Sequence, residues 1–217
     1  MKNDHDVSSI CLEIFSKISA SISHEIKNTL SIINENAGLL DDLSLIAETD
    51  EGVPAQQVQT AVATISKQVA RSNRIMKDFN RFAHSADTKF GKTDLKDLLQ
   101  LMVALTSRQA AMNSVSVDIE CLEDVNITTR LLPLESLIFL VLTSSYHTAQ
   151  PGSTVTIETN SRIDEISIHF SLEEMNSKVE SYTPGAKEAV LADAVQGSCS
   201  TKENSIIISF KSHLDKA

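Results

Sequence analysis

Tryptophan is absent from this 217-residue chain, and aromatic residues make up only 4% of it. A β-rich core built on large rings is therefore not expected; Ile, Leu, Val and Ala must do the packing, which suits helices. Cysteine is scarce too. Cys11, Cys121 and Cys199 are far apart and odd in number, so no pair has metal-ligand spacing. Zinc is not expected, and three reduced thiols are the plain reading. No apolar run approaches the roughly 20 residues that cross a bilayer. The N-terminal Met1-Lys2-Asn3-Asp4-His5-Asp6 lacks the apolar core of a secretion signal. Positive charge is short as well: the formal net charge is −10. That disfavours general nucleic-acid binding, which needs cations to neutralise phosphates. The expectation is a cytoplasmic protein with no membrane segment and no nucleic-acid partner, large enough for one large or two small domains.

What the chain does have is helical periodicity. Apolar or small residues recur at Phe15, Ile18, Ile22, Thr29, Ile33, Asn36, Leu40, Leu43 and Ala47, a 3-4 spacing that predicts a long helix over about 7–47. Gly52 and Pro54 punctuate a break over 48–54. A second helix is predicted over about 55–85, with its stripe on Val58, Val62, Ile65, Val69, Ser72, Met76, Phe79 and Ala83. Two such helices joined by a short loop make an antiparallel hairpin. One hairpin cannot cover its own stripe, but two can, as a four-helix bundle across a two-fold axis. The expectation is a homodimer. Asn36 falls on the stripe, where it either fixes the register of the bundle or faces solvent. Arg71, Arg74, Lys77 and Arg81 crowd the end of the second helix, either as a solvated face near a C-terminus or as a surface for an acidic partner.

His24 lies beside the first stripe, where its imidazole can be reached from water or by a docking protein. Glu25 follows it and can orient the ring or accept its proton. Asn28 is one turn further along the same face. A lone histidine on a helix is usually only a surface residue; His24-Glu25-x-x-Asn28 ahead of an apolar run is a more specific pattern.

The run His24-Glu25-Ile26-Lys27-Asn28-Thr29-Leu30 resembles the H-box of sensor histidine kinases, the dimerisation and phosphoacceptor helix. Thr29 stands where that family commonly has proline, so the kink proline causes is not expected. The resemblance implies that His24 carries a phosphoryl group, that Glu25 assists its transfer, and that Asn28 helps hydrolysis of a phosphorylated partner. It covers roughly the first 90 residues. A sensor domain ahead of this helix, which most histidine kinases carry, is not expected here.

Beyond a short linker over 85–92, the pattern turns to alternating helix and strand. Asp94 reads as the N-cap of a helix to about Met112 that carries Leu95, Leu98, Leu99, Met102 and Leu105 on one face. Strands are predicted over 115–121, 125–130, 154–158, 165–170 and 205–210, with helices over about 133–148 and 186–195. The fold class expected is α+β, helices layered on one sheet. The order is similar to the catalytic ATP-binding domain of histidine kinases. The domains expected are thus 1–88, the helical hairpin with the phosphoacceptor, and 94–217, an α/β sandwich resembling that ATPase domain.

The resemblance in the second domain stops at the scaffold. Leu140 and Ser144 stand where the family's N-box has two asparagines, one of them a magnesium ligand. Where the family has Asp-x-Gly-x-Gly, Ser171-Leu172-Glu173-Glu174-Met175-Asn176-Ser177 has no glycine. Gly185 and Gly197 are isolated and read as turn residues. Glu173 and Glu174 read as a solvated pair, and His169 as solvent-facing and inert. His84, His147 and His213 have no partner by spacing.

The reading that follows is a dimeric histidine phosphotransferase of a two-component pathway, with a degenerate ATPase-like domain and no cofactor of its own. It would exchange a phosphoryl group between His24 and an aspartate on the receiver domain of a response regulator, and magnesium would belong to that receiver. Two alternatives stay open: a divergent histidine kinase or phosphatase that still binds ATP, and a non-catalytic dimeric interaction module.

Overall fold

The computed structural model describes residues 2–46, 54–121, 125–162, 165–176 and 182–212. The break expected over 48–54 lies, apart from Pro54, outside the described residues, as do Ala47, Ser177 and His213. Among the described residues the fold is α+β, with five helices, a two-stranded ribbon and a five-stranded mixed sheet.

The first helix, α1 (Lys2–Ile46), starts earlier than periodicity suggested and runs unbroken through Thr29. Its buried side begins at Val7, Cys11, Ile14, Ile18 and Ile22. It then turns polar: Thr29, on the expected stripe, is buried, and so is Glu25, which is not on it. Asn36 donates to the carbonyl of Ile32 on its own helix at 2.8 Å. The second helix is α2 (Ala55–His84). Of the expected stripe, Val58, Ile65, Ser72, Phe79 and Ala83 are half-buried. Ala61, Gln68 and Phe82 are buried, whereas Val62, Val69 and Met76 are 49%, 46% and 43% exposed. A seven-residue spacing places these three on a single exposed row.

The chain divides into two compact units, residues 19–80 and residues 1–18 with 81–217. The second unit holds the sheet. The segment expected to be a linker contains β1 (Gly91–Asp94), which pairs antiparallel with β3 (Asn126–Thr129). Asp94 then caps α3 (Leu95–Met112), accepting the Asp97 N–H at 3.1 Å, and Leu95, Leu98, Leu99, Met102 and Leu105 are all buried as the spacing predicts. The main sheet runs β2 (Ser116–Glu120), β4 (Thr154–Ser161), β5 (Glu165–Leu172), β7 (Ser205–Lys211), β6 (Ser198–Lys202). Only the β2–β4 pair is parallel.

Alternation sets the sheet's faces. Val155, Ile157, Ile166, Ile168, Phe170, Ile206, Ile208 and Phe210 are buried, on the period-two pattern of a sheet packed on one side. Helix α3, α4 (Leu131–Thr148) and α5 (Ala186–Ala194) contact the sheet. In α4, Pro133 falls in the first turn, where a missing N–H costs nothing. The Tyr146 hydroxyl lies 3.0 Å from that of Thr106, joining α4 to α3 inside the core. His169 is half-buried on the opposite face of the sheet, 3.1 Å from the Ser167 hydroxyl. Gly197 is more than a turn residue: a Cβ there would collide with the Ser209 carbonyl of β7.

The part of α1 up to Ile18 belongs to this unit and makes defined contacts within it. Glu13 accepts from Lys187 of α5 at 2.7 Å, with Lys17 at 2.9 Å; the two ammonium groups hold its carboxyl down at about 2. The rings of Phe15 and Phe82 stack, with centroids 5.7 Å apart.

Candidate functional site

In the unit of residues 19–80, His24 and Asn28 are both exposed. A spacing of four residues puts them one turn apart on the same side of α1. Glu25, one residue on and about 100° around the helix, is only 6% exposed. Its carboxylate meets the Arg71 guanidinium of α2 at 3.4 Å. That is a long contact, near the limit of a useful hydrogen bond. One turn further, the Thr29 hydroxyl lies 2.7 Å from that of Ser72 and also donates to the Ile26 carbonyl at 2.8 Å. Gln68 is buried beside Arg71 in sequence, and its Oε1 finds no hydrogen-bond partner among the described residues.

Glu25, Thr29, Gln68, Arg71 and Ser72 thus make a polar layer between α1 and α2. Sequence reasoning placed Thr29 and Ser72 on stripes but missed Glu25 and Gln68, because a carboxylate or carboxamide facing inward looks like an interruption of an apolar pattern. Asn36, read as either a register residue or a solvent-facing one, is half-buried and bonds only its own helix among the described residues, whereas Thr29 makes the inter-helix polar contact. Of the cations at the end of α2, Arg71 is engaged with Glu25, and Arg81 reaches Asp97 at 3.7 Å. Arg74 and Lys77 are exposed. His84, for which spacing offered no partner, has one three residues on: its Nδ1 lies 2.7 Å from Asp87.

In the larger unit, Leu140 and Ser144, where the sequence resemblance expects two asparagines, lie in the C-terminal half of α4. Both are half-buried there. Tyr182 approaches Ser144 and Glu188; burial first, and then the Glu188 carboxylate, push its phenol above the ordinary tyrosine value. Burial and Glu188 also push the Cys199 thiol up to about 12. Glu188 itself accepts the Gly185 N–H at 3.0 Å at the start of α5. A cavity lined by Thr148, Leu172, Met175 and Tyr182, among others, has a volume of about 140 Å³. Ligand sites usually run from about 300 to 1,000 Å³. Glu173 is tied up structurally, accepting the Thr154 N–H at 3.1 Å. Among the described residues, no three His, Cys, Asp or Glu side chains cluster as a metal site would need. At positions 140 and 144 a leucine and a serine offer no carboxamide or carboxylate oxygen to a magnesium ion.

No helix among the described residues is long and apolar enough to cross a membrane. No family model and no curated protein matches the sequence. Solved structures similar to this chain include the catalytic domain of histidine kinase ThkA, at a TM-score of 0.47 and 11% identity over 59% of this chain and 100% of that one. The Acinetobacter baumannii histidine kinase AdeS aligns at 0.46 and 11% identity, over 87% of this chain and 96% of its own. A complex of ThkA with the response regulator protein TrrA aligns at 0.43 and 15% identity, over 93% of this chain and 63% of the kinase.

Proposed function

We propose that the chain is a two-component phosphotransferase in which His24 exchanges a phosphoryl group with an aspartate on a response regulator's receiver domain. The observation that carries the reading is the split along one turn of α1: His24 and Asn28 face out, while Glu25 is held inward by Arg71. A docked receiver can then present its aspartyl phosphate to the imidazole in line. A ring nitrogen takes the phosphoryl group as the aspartyl P–O bond breaks, and the free carboxylate stays with the receiver. The reverse step runs through the same atoms, and neither direction needs ATP. Arg74 and Lys77, exposed on α2, suit the acidic rim of a receiver pocket. Asn28 would position water against a phosphorylated receiver. Glu25 can assist the imidazole only by exchanging Arg71 for it, and the long 3.4 Å contact makes that exchange inexpensive.

In this reading α1 and α2 form an antiparallel hairpin, and two copies complete a four-helix bundle. The row Val62, Val69 and Met76 supports it, because three apolar side chains at heptad spacing are left uncovered in the single chain. The ATPase-like unit is read as a docking scaffold without nucleotide. Support comes from Leu140 and Ser144 at the N-box positions and from the 140 Å³ cavity beside Tyr182.

The test is incubation with a receiver domain carrying labelled aspartyl phosphate. Acid-labile label should appear on the wild-type chain and not on His24→Ala. Label persisting on His24→Ala would remove His24 as the acceptor.

A further inference from the structure

An apolar hollow of the ATPase-like unit has no part in the reading above. It has a volume of about 660 Å³ and sits between the first turns of α1, the segment after α2 and the start of α4. Val7, Cys11, Phe15, Leu132 and Pro133 supply its apolar wall. Burial pushes the Cys11 thiol up, so it packs there as a neutral group. Leu12 stands at the rim, 66% exposed. The volume lies within the usual range for small-molecule sites.

Two cations line it, Lys89 and Arg130, on a chain whose net charge is −10. Arg130 sits at the N-cap of α4, and no side chain caps that helix's first turn. The helix adds its own partial positive charge at that end. Asp87, between the lining residues Ala86 and Thr88, is paired with His84, and two further acids lie near Arg130. Asp4, 64% exposed, meets Arg130 at 3.3 Å, which leaves other guanidinium N–H donors for an incoming anion. Glu135 lies behind Ser85, takes that hydroxyl's hydrogen bond at 2.8 Å, and is 1% exposed. Arg81 stands within electrostatic reach of Glu135. The hollow is therefore greasy within and cationic at one end.

We propose that this hollow binds a small amphiphilic anion, an unbranched chain ending in a carboxylate or phosphate, with the tail against Val7, Phe15 and Leu132 and the head at Lys89 and Arg130. A free phosphate has no tail to bury and a cationic amphiphile has no partner for its head, so each separates one half of the recognition from the other. The proposal is independent of His24 and of phosphotransfer.

Calorimetric titration of the full chain tests it, with sodium decanoate well below its micelle concentration, decyltrimethylammonium and inorganic phosphate as probes. Decanoate should saturate at one per chain, and the other two should give no saturable heat. Lys89→Met and Arg130→Met should each weaken decanoate about tenfold, the scale of one charge-assisted contact. Ala86→Trp, a change at an exposed lining residue, should block the hollow and abolish binding. Lys89 and Ala86 are both exposed, so these two variants keep the test valid if Arg130→Met fails to fold. Absence of saturable decanoate binding overturns the proposal, as would occur if a second copy of the chain already fills the hollow. Equal binding of the cationic amphiphile, or affinity unchanged in both Lys89→Met and Ala86→Trp, overturns it as well.

Discussion

The Ser85 hydroxyl donates to the Glu135 carboxylate across 2.8 Å, and it is the one hydrogen bond that this buried acid receives among the described residues. Burial pushes Glu135 up to about 7, against an ordinary value of 4.5; Ser85 and Arg81 only partly oppose the rise. Between those two pH values the folded chain keeps a proton that the unfolded chain has lost. This contribution to stability is complete below about pH 4.5, falls as pH rises through 7, and is lost above. The swing is about 3 kcal/mol at ~1.4 kcal/mol per unit. Glu135→Gln keeps an acceptor for Ser85 and removes the titration. Urea unfolding at pH 5, 6, 7 and 8 should show a downward slope for the wild type that Glu135→Gln lacks; a slope unchanged in the variant refutes the assignment.

Thr29→Pro would put into α1 the residue that resembling helices commonly carry. Here α1 is continuous through Thr29, and the Thr29 hydroxyl pairs with Ser72. Proline removes a helix hydrogen bond and clashes one turn back, so the cost should be about 3 kcal/mol. Thr29→Val, which keeps the helix and loses only the hydroxyl, should cost about 1 kcal/mol. Denaturation followed by helical circular dichroism distinguishes the two.

Val69→Glu should convert a dimer into the 23.7 kDa monomer. Val69 is the middle of the uncovered heptad row on α2, and a charge there would be buried between copies. Light scattering at micromolar concentration reads the mass directly. A wild-type chain that is already monomeric would remove the four-helix bundle.

Mg-ATP should give no measurable heat with the wild type. Restoring carboxamides with Leu140→Asn and Ser144→Asn should not create binding, because Tyr182 still stands against position 144 and the cavity stays near 140 Å³. Binding recovered by that double variant would show that the two side chains alone had closed the site.

Gly197→Ala should destabilise the larger unit by about 1–3 kcal/mol, the usual cost of overpacking. Its new Cβ would meet the Ser209 carbonyl, a backbone atom that cannot rotate away. Thermal unfolding checks this.

Strong periodicity was the legible part. The runs behind α1, α2, α3 and α4 and the alternation in β4, β5 and β7 gave element type and, within a few residues, extent. The four residues of β1 carry no alternation, and Gly91 reads as a loop. β6 is an edge strand whose only half-buried residue is Cys199, so it shows no inward-facing apolar set. On α2 the expected stripe merged two rows, half-buried Ile65, Ser72 and Phe79 and exposed Val62, Val69 and Met76, and left out the buried Ala61 and Gln68. Composition cannot divide those rows, because small and polar residues pack well where two helices come close. At the site, His24 and Asn28 stood out by motif, but the Glu25–Arg71 contact joins residues 46 apart in sequence, and no local pattern marks it.

The two strands at the borders of the sheet share a character that governs how copies of this chain can meet. β2 carries Asp118 and Glu120 and β6 carries Lys202, all exposed. Unpaired backbone along a border invites a further strand, and charged side chains there make the addition unfavourable. Crowded copies are thereby discouraged from stacking into fibrils through β2 or β6.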